Sequence, residues 1–146
     1  MIITFIGYRF LKNHEVILEK IKKSILDHLK DEEKMVFYCG GYGDFDNLSA
    51  HACQAVKKIN PNSEVVYVTP YIKSQYEGAI LGKEYDSILY PPLENVPPKF
   101  AICKRNEWMI DKSDLIISYV NHTCGGAYNG LCYAQRKKKK IINLAQ

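Results

Sequence analysis

Met35-Val36-Phe37-Tyr38-Cys39-Gly40-Gly41-Tyr42-Gly43-Asp44-Phe45-Asp46 is the stretch on which the fold turns. An apolar run meets three glycines and then two acids that open a helical pattern. It reads as a strand handing over to a helix through a tight turn. Glycine permits positive φ and close approach of the backbone to a ligand. A helix start presents unpaired N–H groups and a partial positive charge. The same hand-over recurs after the apolar run Leu115 to Val120, in Cys124-Gly125-Gly126-Ala127-Tyr128-Asn129-Gly130. Such a turn is a seat for an anion, most often a phosphate. Two of them in one small chain suggest a nucleotide-like ligand held between them.

The flanking sequence repeats the strand and helix alternation. Ile2 to Gly7 is β-branched and aromatic and reads as a buried strand. Asn13 then serves as an N-cap, and Leu18, Ile21, Ile25 and Leu29 mark one helical face. The pattern from Asp46 to Ile59 is helical, with Asp46 the natural N-cap. Glu64 to Thr69 is a third strand. Residues 70–98 are irregular, with Gly78, Gly82 and several prolines, and hold a short strand from Ser87 to Tyr90. A long insert of this kind is often a lid or binding loop. Lys99 to Lys112 reads as a helix begun by Pro97 and Pro98. After Leu115 to Val120 and the second glycine turn, a helix runs to about Lys138, and Ile141 to Leu144 closes the sheet. The expected fold class is α/β: a Rossmann-like three-layer α/β/α sandwich with a mostly parallel sheet of five to six strands. In such sheets ligands bind beyond the carboxyl ends of the strands.

The chain has 146 residues, of which 47% are hydrophobic and 25% charged, so a single globular domain over 1–146 is expected. No apolar stretch approaches a membrane span, and Met1 to Gly7 lacks the basic start of a signal peptide. The five cysteines, Cys39, Cys53, Cys103, Cys124 and Cys132, form no C-x-x-C pair. Neither a zinc site nor a disulfide framework is indicated, and no metal or cofactor is expected. Free thiols fit the cytoplasm. Cys124, at a helix start, is either a reactive thiol or a small buried hydrophobe. Net charge is +4, and four lysines fall in the run Arg136 to Lys140. That run complements a helix dipole or forms an anion-attracting patch.

The two turns differ in what they can hold. No acid lies between Cys124 and Ala134, whereas the first turn carries Asp44 and Asp46. The second is therefore the phosphate seat, and Asp46 is a cap or an acceptor for ribose hydroxyls. Neither loop matches the dinucleotide or P-loop glycine patterns. Arg9 stands just past the first strand, where a guanidinium grips phosphate bidentately. Arg105 and Asn106 face the same rim if Trp108 and Met109 point into the core. Tyr8, Tyr42 and Tyr128 fall in rim loops, where they stack a base or simply pack.

Together Thr4-Phe5-Ile6-Gly7-Tyr8-Arg9, the Gly40 to Asp46 turn, Phe100-Ala101-Ile102 with Arg105-Asn106-Glu107-Trp108-Met109, Ser113-Asp114 and Gly125-Gly126-Ala127 resemble small bacterial proteins of the SLOG superfamily. That superfamily takes its name from the Smf DNA-processing proteins and the LOG phosphoribohydrolases. The resemblance spans nearly the whole chain and implies a Rossmann-like fold. It further implies binding of a nucleotide or nucleotide-derived ligand, in some members of single-stranded DNA, and self-association as a homodimer. Two positions depart from the pattern. Tyr8 replaces the histidine of the usual Gly-His-Arg, and Cys132 stands where the phosphoribohydrolases carry their catalytic glutamate.

The expected function is binding of a nucleotide-type ligand at the sheet rim, as a sensor or sequestering protein. Its candidate residues are Gly7, Tyr8, Arg9, Gly40, Gly41, Tyr42, Gly43, Asp44, Asp46, Thr69, Arg105, Asn106, Gly125, Gly126, Ala127 and Tyr128. The alternative is a nucleoside or nucleotide N-glycosidase or transferase using Asp44, Asp46 or Glu107. A third reading is a single-stranded nucleic-acid-binding module using Arg136 to Lys140 with the rim tyrosines.

Overall fold

Uninterrupted apolar runs make strands that are buried on both faces, and this chain has several. In the computed structural model, which describes residues 1–30, 33–71 and 85–146, they form β1 (Ile2–Gly7), β2 (Met35–Cys39), β3 (Ser63–Val68), β4 (Ser87–Leu89), β5 (Leu115–Tyr119) and β6 (Lys140–Asn143). The helices are α1 (His14–Asp27), α2 (Asp44–Ile59), α3 (Ala101–Lys112) and α4 (Gly126–Arg136). A 3-10 turn, Pro98–Phe100, leads into α3. All six strands are parallel, in the order β4-β3-β2-β1-β5-β6. The register sets Ile3 opposite Phe37 on one side and Leu115 on the other.

The period of two along β1 divides the core. Ile3 and Phe5 pack with Ile17, Ile21 and Ile25 of α1 and with Phe45, Cys53 and Val56 of α2. Ile6, on the other face, packs with Ile110 of α3 and Ala134 of α4. Each large side chain buried in this way stabilises the fold by about 1.5–3 kcal/mol. Thr4 also points to the α3 side, and its buried hydroxyl is satisfied by Ser113 Oγ at 2.5 Å. Cys39 and Cys53 lie buried in the core, and all five cysteines are free.

The sandwich expected from the sequence is the one observed, with corrections at the ends of elements. Helix α2 begins at Asp44, two residues before the expected Asp46, and its N-cap is Gly43. The cause is a distant loop: the carbonyls of Arg9 and Tyr8 accept the Asp44 and Phe45 amides at 2.8 and 3.2 Å. Those donors need no side-chain cap. Asn13 does hold the N-cap position of α1, but at φ 57° and without a side-chain cap bond. Helix α4 stops at Arg136 because Lys138 turns to φ 57° before β6. In the irregular insert, the short strand at Ser87–Leu89 is present. Residues 72–84, with Gly78 and Gly82, lie outside the described residues. No helix among the described residues is long and apolar enough to cross a membrane.

Candidate functional site

Strand order reverses at β1. From it the chain steps outward through β2, β3 and β4, then returns to lay β5 and β6 on the other side. The crevice beyond the carboxyl ends of β1 and β5 is where such sheets bind ligands. A cleft of about 290 Å³ lies there. Its lining brings together Gly7, Tyr8, Arg9, Tyr42, Asp46, Arg105, Asn106, Gly125, Gly126 and Ala127.

The two glycine turns do different work. At the first, the leading amides of α2 are consumed by Tyr8 and Arg9, and Tyr42 N donates to Asp46 Oδ2 at 2.9 Å. Gly43, at φ 102°, is pressed so close that a Cβ would lie 2.7 Å from Arg9 Cα. Gly41, at φ 66°, faces the Tyr67 ring, where a Cβ would sit 1.8 Å away. Asp44 accepts from Leu11 N at 2.8 Å and lies 3.3 Å from His14 Nε2, tying the β1–α1 loop to α2. This turn is a brace.

At the second turn the N-cap is Gly125, with φ 92° and no side-chain cap bond. The amides of Gly126, Ala127 and Tyr128 have no hydrogen-bond partner among the described residues. A Cβ at Gly125 or Gly126 would meet nothing within 4 Å. Open donors at an open helix start, with the dipole behind them, suit an anion.

Tyr8 holds the two halves of the rim together. Its hydroxyl accepts the amides of Asn121 and His122, the latter at 3.0 Å, and donates to Asn121 Oδ1 at 3.1 Å. Its ring stacks on His122 at 4.3 Å between centroids. One face of the ring is thus taken by His122, and the side chain still lines the cleft. Arg9, next in sequence, places its guanidinium 4.2 Å over the Tyr42 ring. That contact orients the charge while leaving its N–H edge available.

The floor carries the strongest electrostatic feature. Trp108 stacks on Tyr38 and Met109 is buried, which turns Arg105 toward the rim. Arg105 is 2% exposed. Its Nη1 donates to the carbonyls of Gly40 at 2.9 Å and Val68 at 2.8 Å, and Nε to Asn106 Oδ1 at 2.9 Å. Nη2 has no hydrogen-bond partner among the described residues. Burial lowers the guanidinium's pKa, and the charge of Asp46 raises it again. Asp46 is the counterpart: burial pushes its carboxyl up to about 6, against the pull of Arg105 and the Tyr42 amide. A Cβ on Gly40 would stand 3.0 Å from Asp46 Oδ2 and 3.1 Å from Arg105 Nη2. Glycine lets both charges approach without either having to shift.

The remaining candidates lie elsewhere. Gly40 and Thr69 line a neighbouring hollow. Glu107 pairs with Lys104 at 3.3 Å and lines a separate hollow between α3 and α4. Tyr128 is half-buried, and its hydrogen bond with Cys132 raises its pKa. Cys124 is exposed and lines the cleft. His122 also lines it, placed there by its stacking on Tyr8, a contact across the sheet with no local signal. The basic run is largely engaged: Lys139 Nζ donates to the carbonyls of Asp111 and Ser113 at 3.0 Å each, and Lys137 lies 3.7 Å from Asp111.

No protein-family model matches the sequence, and no curated protein matches it. Solved structures share its fold. One is DNA processing protein A from Helicobacter pylori, described as having a unique single-stranded DNA binding mode. It matches with a TM-score of 0.66 and 17% identity over 97% of this chain, which spans 63% of that protein. The molybdenum cofactor carrier protein of Chlamydomonas reinhardtii matches with a TM-score of 0.62 and 17% identity, over 99% of this chain and 76% of its own. DNA processing protein A from Streptococcus pneumoniae gives 0.54 and 13% identity, over 99% and 59%. The shared feature is the Rossmann-like fold.

Proposed function

We propose that this domain binds a phosphorylated, nucleotide-type ligand and is a small member of the SLOG superfamily. The observation that carries the reading is the uncapped start of α4, open over the cleft and facing a buried arginine with a spare donor. The phosphate sits on the Gly126 and Ala127 amides, Arg9 adds a second positive charge, and Asp46 accepts from ribose hydroxyls. That the fold neighbours include a single-stranded DNA binder and a cofactor carrier supports a ligand-holding role.

Gly126→Asp tests it. The added side chain meets open space, and an acid in the first turn favours the helix dipole, so the variant folds. Its carboxylate covers the amides that the phosphate needs. Wild type gains about 2.7 kcal/mol, several degrees in Tm, from AMP at 100 times its Kd, and the variant gains nothing. An unchanged affinity removes the loop from the site.

A second reading has one observation in its favour. A carboxyl held near pKa 6 inside a cleft is matched to proton transfer near neutral pH. Asp46 would then serve an N-glycosidase or transferase. Release of adenine from AMP, lost in Asp46→Asn, supports this, and no release at high enzyme concentration ends it.

A further inference from the structure

Beyond Tyr42 lies a second hollow of about 170 Å³, lined by Tyr67, Thr69, Pro70, Tyr71 and Arg105. We infer that this hollow seats the base of a nucleoside monophosphate whose phosphate occupies the α4 turn. The inference rests on the phosphate reading above.

The two hollows are joined through the same residues. Arg105, Tyr42 and Ile102 line both. Arg9 lines only the cleft and packs on the Tyr42 ring at 4.2 Å, so that ring is the partition between them. Tyr42 is 52% exposed. Small-molecule pockets that hold a whole ligand start at about 300 Å³, so the hollow suits a single planar ring system.

Its walls are aromatic and its polar groups are mostly spent. The Thr69 hydroxyl donates to Tyr71 O at 2.8 Å and accepts Tyr71 N at 3.2 Å. Arg105 Nη1 is committed to Gly40 and Val68. The spare Nη2 remains at the floor, on a side chain that is 2% exposed and lines both hollows; of its two N–H groups one serves the cleft and the other is a donor toward a ring nitrogen of the base. Tyr67 is held in place from behind, since Gly41 lies against its ring edge more closely than any side chain could. Aromatic rings around one charged donor form a stacking site with a hydrogen bond at its base.

The test compares AMP with ribose 5-phosphate by titration calorimetry. Stacking of one base is worth about 1–3 kcal/mol, so wild type favours AMP by about tenfold to a hundredfold. Tyr71→Ala narrows that ratio at least fivefold, and so does Tyr71→Leu, which keeps the bulk and loses the π face. Tyr71→Phe preserves it. Equal binding of the two probes by wild type overturns the base seat and leaves the phosphate site standing. So does an unchanged ratio in a folded Ala or Leu variant. Binding of neither probe overturns the phosphate reading and this inference with it.

Discussion

Asp46→Asn should change how stability depends on pH. Asp46 has one charged neighbour of opposite sign, Arg105, and burial outweighs it, so the folded carboxyl titrates at about 6 against 3.8 ordinarily. A carboxyl with a raised folded pKa binds its proton more tightly in the folded state. Acid therefore favours folding through this group. Its full cost is present above pH 6, falls as pH drops through 6, and is gone below 3.8. The difference of about two units is worth about 3 kcal/mol at most, since the side chain is only partly buried. The Asn variant keeps an oxygen for the Tyr42 amide and cannot titrate. Relative to it, wild type should lose up to about 3 kcal/mol between pH 4 and pH 7.5. Urea unfolding followed by fluorescence of Trp108, the single tryptophan, measures both proteins at each pH. The change with pH is the quantity of interest, because any constant offset reflects the lost charge beside Arg105. Parallel curves, or wild type gaining on the variant as pH rises, would refute the reasoning. The latter would mean that Arg105 outweighs burial.

Two further substitutions probe the rim. Gly41→Ala combines a left-handed φ of 66° with a Cβ that would lie 1.8 Å from the Tyr67 ring, and should cost about 2–3 kcal/mol in urea unfolding. A cost below about 0.5 kcal/mol would show that the turn relaxes freely. Tyr8→Phe removes the acceptor of the exposed Asn121 and His122 amides, which water then serves, and should cost about 0.5–1.5 kcal/mol. Hydrogen exchange at those two amides should quicken, and unchanged protection would contradict the bracing role.

Local patterns carried most of the fold. The runs Ile2–Gly7 and Met35–Cys39 are strands at the bounds expected, because both are apolar and β-branched or aromatic and are closed by glycine. The asymmetry of the two glycine turns was also legible, since acids in one and their absence in the other are facts of composition. What escaped is non-local. The start of α2 depends on carbonyls supplied by the β1–α1 loop. Arg105 is fixed by carbonyls 65 and 37 residues away. Tyr8 read equally as a stacking ring or as packing, and nothing local announced its hydroxyl partners, which lie 113 and 114 residues on. The aromatic hollow beside Tyr71 needed β3, α3 and the first glycine turn to be placed side by side.

The clamp on Arg105 also bears on kinetics. A free arginine gives up about 1.5–2 kcal/mol of rotamer entropy when a ligand immobilises it. Here folding has already paid that cost, through the strand-end carbonyls that hold Nη1. A lysine could not repeat the arrangement, because a single ammonium has no separate arm to bond the sheet while another reaches the cleft. On the proposed phosphate reading, an arriving anion would meet a charge already in position, and capture would be set by diffusion and steering with little waiting for a side chain to order.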